Sequence, residues 1–127
     1  MDIAPISQDE AFHNSFFYFV KALNVMMLDA AAQCEAMGNF NVAWEIQHDV
    51  MDTGIALDTW TDSYLTQVEK DQITRLVALV KELPKAALES EESAVNHPDW
   101  AKLRIAAFHL LKLLAGSIEK NREFFSR

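Results

Sequence analysis

The chain has 127 residues, with 11 Lys and Arg against 19 Asp and Glu, giving a net charge of −8. Half of it is hydrophobic, and it holds 3 Gly, 3 Pro and a single Cys. That length predicts one domain over 1–127 with room for one core, and so few Gly and Pro argue against a turn-rich β-sandwich or a disordered tail. One cysteine, Cys34, excludes a disulfide framework, and the acidic balance argues against nucleic acid, whose phosphates need a basic patch.

The first residues, Met1 to Pro5, carry no basic region leading into an apolar stretch, so no signal peptide is expected. The most apolar run, Ile105 to Gly116, is interrupted by His109 and Lys112 and falls short of the roughly 20 apolar residues of a membrane span. A cytoplasmic protein is the expectation.

Ser7 stands three residues before Glu10, the spacing of a capping box, and predicts a helix start there. Apolar residues then recur at Phe12, Phe16, Phe19, Leu23, Met26, Ala30 and Met37, with Gly38 and Asn39 suited to end the helix, which is expected over about 8–37. A second stripe, Ala43, Ile46, Val50, Leu57, Trp60 and Tyr64, predicts a helix over about 41–60 with Gly54 as its weak point. Asp62 or Ser63 can cap a third helix over 63–88, carrying Leu65, Val68, Leu76, Leu79 and Leu83, with a break or kink at Pro84. Residues 89–97 read as a polar connection. Pro98 and Asp99 suit the first turn of a last helix over 98–125, whose stripe is Trp100, Leu103, Ala107, Leu110, Leu114, Ile118 and Phe125. No segment alternates as a strand does. The expected fold is all-α, an antiparallel up-down four-helix bundle.

Two features exceed a generic bundle. Between Ala11 and Met37 the only charged residues are Lys21, Asp29 and Glu35, and the face away from the core stripe still carries Tyr18, Val25, Leu28 and Ala32. A helix apolar nearly all round is buried on more than one side, so a second copy, most simply a homodimer, or a partner protein is expected to cover Tyr18, Val25 and Leu28. The second feature is charge segregation. Residues 1–63 hold ten acids and one base, whereas 64–127 hold nine acids and ten bases. Glu45, Asp49 and Asp52 follow i, i+4, i+7 spacing along one helix face, which would steer a basic protein partner.

Several short patterns bear on chemistry. Glu10-x-x-His13 and Glu45-x-x-His48 resemble the Glu-x-x-His element of di-iron carboxylate bundles. Folding about Gly38–Asn39 would leave roughly 24 Å between the two histidines, so they cannot serve one centre. Folding the later hairpins in the same way would bring His109 within about a turn of Glu45 and His48, with Cys34 near that level, a His, carboxylate and Cys set suited to zinc. His109-Leu110-Leu111-Lys112 resembles the His-x-Leu-Lys core of histidine phosphotransfer domains, with Leu113 where that family carries Gly. Arg104 and His109 resemble the Arg-x4–6-His pair of HEPN-class nucleases. No nucleophile elbow or Gly-rich phosphate loop occurs. The sequence therefore predicts a small acidic protein–protein interaction module (an inhibitor, an immunity-type protein or a chaperone-like binder) with no catalytic residues and no cofactor. The alternative is a metal- or small-ligand-binding bundle around Glu45, His48 and His109.

Overall fold

A computed structural model describes residues 7–38, 41–58, 60, 64–89 and 92–126. Among them the chain forms six α-helices: α1 (Gln8–Met27), α2 (Ala30–Met37), α3 (Val42–Asp58), α4 (Gln67–Lys81), α5 (Pro98–Leu113) and α6 (Ala115–Phe125). Two 3-10 turns, Lys85–Ala87 and Glu92–Asn96, lie between α4 and α5. No described residue is in a strand, and no described helix is long and apolar enough to cross a membrane.

The single helix expected over 8–37 is two. The apolar period runs on past Met27, but the Asp29 side chain competes for the backbone, its Oδ1 accepting from the Ala32 amide at 2.9 Å as the N-cap of α2. The carbonyls released by the break are satisfied from elsewhere. Gln33, fully buried, donates through Nε2 to Val25 O at 3.2 Å and Met26 O at 2.9 Å. Arg104 of α5 donates through Nε to Leu28 O and through Nη2 to the Gln33 side chain, each at 2.8 Å, and to Val95 O. Burial pushes the Arg104 guanidinium below its ordinary pKa, while Asp29 pulls it back up.

Gly38 closes α2 in the left-handed conformation, with φ +86°, while Asn39 lies outside the described residues. So do Asp62 and Ser63, the caps expected for the third helix. The observed cap is Thr66, whose Oγ1 accepts from the Glu69 amide while Glu69 accepts from the Thr66 amide, a complete capping box. The helix ends at Lys81, ahead of Pro84, rather than continuing to 88. The last helix, expected over 98–125, divides at Leu114 into α5 and α6.

One cluster of buried side chains runs through the molecule. Phe12, Phe16, Phe19, Leu23 and Met26 of α1 are buried with Ile46, Val50 and Leu57 of α3, Ile73, Leu76 and Val80 of α4, and Trp100, Leu103, Ala107 and Leu110 of α5. Helix α1 packs against α3, α5 and α6, and α4 packs against α3 and α5. Two residues assigned to the core stripe lie outside it: Val68 is 60% exposed and Leu79 is half-exposed, because the stripe of α4 that faces inward is Ile73, Leu76, Val77 and Val80.

At Gly54, α3 approaches its neighbours closely. A Cβ there would stand 2.5 Å from Val77 Cγ2 and 3.1 Å from Phe19 Cε1. Gly54→Ala gains about 1 kcal/mol of helix propensity but overpacks a β-branched side chain, at a cost of about 1–3 kcal/mol. The expected net result is a destabilised variant, and a urea midpoint raised above wild type would contradict it.

Candidate interaction surface

Helix α6 reaches α1 through a polar clamp. Asn121, buried, donates through Nδ2 to His13 O at 2.8 Å and lies 3.1 Å from His13 Nδ1. The His13 ring stacks on Phe124 at 4.2 Å. Beside this clamp the two helices diverge into a groove of about 700 Å³ lined mainly by Phe17, Val20, Val25, Leu28, Ile118 and Phe125, with Lys21 and Arg122 the charged side chains on its walls. Phe17 meets Phe125 edge-on at 5.9 Å, and both rings remain half-exposed.

On the other flank of α1 lies a smaller cleft of about 250 Å³ between α1 and α3, whose lining includes Tyr18, Lys21, Val25, Met37, Asp49 and Thr53. The cleft and the groove share Lys21 and Val25. The structure thus brings Tyr18, Val25, Leu28 and Asp49 onto one continuous surface, with Tyr18 57% exposed. Glu45 and Asp52 adjoin it through Asp49, whose carboxyl is raised above the usual carboxylate range first by burial and then by those two like charges, against the opposing pull of His48 and Lys21.

The sign of that shift sets a pH dependence. A carboxyl whose folded-state pKa is raised favours the fold while protonated, and that contribution is lost as pH rises through its titration. Asp49→Asn is therefore expected to melt at a higher temperature than wild type at neutral pH. The two should converge near about pH 3, below the ordinary carboxylate range. Equal melting temperatures at neutral pH would contradict the strain assigned to Asp49.

The metal-ligating set considered from sequence does not assemble. No three His, Cys, Asp or Glu among the described residues are grouped to hold a metal ion. His48 is half-buried and lies against Trp44, ring centroids 3.9 Å apart. His109 is exposed and lines a different cleft with Arg75. Arg104 is engaged with Leu28, Gln33 and Val95, so it forms no joint site with His109. His13 is held by Asn121 and Phe124, and Cys34 is buried. Sequence reasoning missed Phe17 and Arg122 as groove residues and placed Ile118 and Phe125 on the core stripe, whereas both line the groove and Phe125 is half-exposed. No family model, no curated protein and no solved structure matches the chain.

Proposed function

We propose that the chain is a small acidic protein–protein interaction module without catalytic chemistry. It is one domain built as an up-down four-helix bundle, working in the cytoplasm as a homodimer and presenting an acidic face to a basic protein partner. Support for the bundle comes from the packing of α1, α3, α4 and α5, each of which touches two of the other three. The observation that carries the functional reading is the apolar surface over α1. A helix whose outer side holds a groove of about 700 Å³ with half-exposed Phe17 and Phe125, next to a half-exposed Tyr18, has large apolar area to cover. Tyr18, Val25 and Leu28 form the apolar contact in this reading. Glu45, Asp49 and Asp52 at its edge set the preference for a cationic partner.

Sedimentation equilibrium tests the reading. Tyr18→Asp combined with Phe125→Asp, both at exposed positions, is expected to weaken self-association by at least about tenfold, the loss of one interface anchor, with the circular dichroism spectrum unchanged. A variant that associates as wild type does would overturn the α1 contact. The alternative of a metal or small-ligand site at Glu45, His48 and His109 gains no assembled ligand set from the geometry.

A further inference from the structure

A second depression, far from the α1 surface, lies between α4 and α5. It holds about 320 Å³ and is lined by Val68, Gln72, Arg75, Leu79, His109 and Leu113 among others, with no carboxylate on its walls. In a chain of net charge −8 that is a basic, apolar cleft: Val68, Leu79 and Leu113 are exposed by roughly half, and Arg75 and His109 stand between them in the sequence register. Asp99, one helical span away, is paired with Lys102 and does not reach these walls.

The outer face of α3 has the opposite character. Trp44 and Ile55 are half-exposed, with the His48 ring tilted against Trp44. At about 100° per residue, Glu45, Asp49 and Asp52 form a stripe directly beside them. The two surfaces match in length as well as in charge. Trp44 to Ile55 and Val68 to Leu79 each advance eleven residues, about 16 Å of helix. Asp49 and Asp52 fall between Trp44 and Ile55, as Arg75 falls between Val68 and Leu79.

We propose that the α4–α5 cleft of one molecule receives the outer face of α3 from a second copy of this chain. Trp44 and Ile55 pack against Leu79 and Val68, and Asp49 and Asp52 face Arg75 and His109. The inference rests on reading Glu45, Asp49 and Asp52 as a binding face, and it names their basic partner. The donor face belongs to α3 and the receiving cleft to α4 and α5, so the contact joins two different surfaces of the chain. Such a contact is heterologous: the two ends of a row of copies keep one donor and one cleft unfilled, and mass grows with concentration beyond the dimer. Trp44 and Ile55 are the half-exposed large apolar residues of α3, few for an interface of roughly 800 Å² per partner, so growth belongs to high concentration and low salt.

Sedimentation equilibrium of the full chain over rising concentration at low salt, using the protein itself as the probe, tests this. Wild type is expected to grow past a dimer, and added salt to reverse the growth. The triple variant Glu45→Lys, Asp49→Lys, Asp52→Lys and the cleft variant Arg75→Glu should each stop at the dimer alone. Mixing the two should give complexes larger than either variant forms alone, because the intact α3 face of the cleft variant then meets the intact cleft of the triple variant. Should the triple variant fold poorly by circular dichroism, Ile55→Asp takes its place. Growth that persists in either variant, a mixture with no complex larger than either variant forms alone, or a wild type that stays dimeric at every concentration overturns the proposal. Loss of the dimer itself in Tyr18→Asp with Phe125→Asp reports on the α1 contact alone. Failure of one assignment is therefore distinguishable from failure of the other.

Discussion

Replacing Arg104 by methionine is expected to destabilise the fold by about 3 kcal/mol. The guanidinium makes the hydrogen bonds that let the chain break between α1 and α2, donating to Leu28 O and the Gln33 side chain at 2.8 Å and to Val95 O. Hydrogen bonds to a charged group contribute about 1.5–3 kcal/mol each, and buried acceptors left without a donor cost a further share. Arg104 is half-buried, so water recovers some of that loss. For a chain of this size the melting temperature should fall by about 10 °C. Arg104→Lys is expected to rescue little, because three acceptors around a planar fork are not matched by a compact ammonium. A methionine variant within about 1 kcal/mol of wild type in urea would show that the break between α1 and α2 stands without the clamp.

Trp100→Ala should cost more, about 4 kcal/mol. Trp100 is the largest fully buried side chain, and truncating a core Trp to Ala costs about 3–5 kcal/mol through lost burial and the cavity left behind. Its indole Nε1 also donates to Ala87 O at 2.8 Å, holding the Lys85–Ala87 turn beneath α5. Trp100→Phe separates the two contributions: it keeps most of the ring, removes the donor and is expected to cost about 1–2 kcal/mol. Equal losses for the two variants in urea denaturation would mean that the hydrogen bond, not the packing, dominates.

Helical period alone made Phe12, Phe16, Phe19, Leu23 and Met26 legible as one buried stripe, because nothing local competes with it there. It failed at Asp29, where a side-chain cap outweighed the continuing apolar pattern and the partners that stabilise the break, Gln33 and Arg104, stand four and 75 positions further along the chain. It failed again at Val68 and Leu79, apolar residues that alternate with the true inward stripe of α4. The cap of α4 was misplaced for a local reason: Thr66 and Glu69 form the capping box, but the candidates considered, Asp62 and Ser63, stand earlier in the sequence.

The surface was legible in part for the same reasons. Tyr18, Val25 and Leu28 could be found because α1 carries more apolar surface than one core contact uses, and the structure places them beside open depressions. The opposite wall of the groove depends on where α6 turns after Leu114 and on a hydrogen bond between Asn121 and His13, which lie 108 residues apart in sequence. The separation of Glu45 and His48 from His109 is a rotational matter that helix level alone cannot fix: His48 lies against Trp44 on α3, and His109 lines the cleft between α4 and α5.

A native mass spectrum of freshly purified, untagged protein tests the central claim most directly. The interaction module predicts a species at twice the 14.4 kDa chain mass with no added mass, reduced to a single chain by Tyr18→Asp with Phe125→Asp. A single chain at every concentration, or an adduct of metal or metabolite mass that disappears in a His48→Ala, His109→Ala variant, would contradict it.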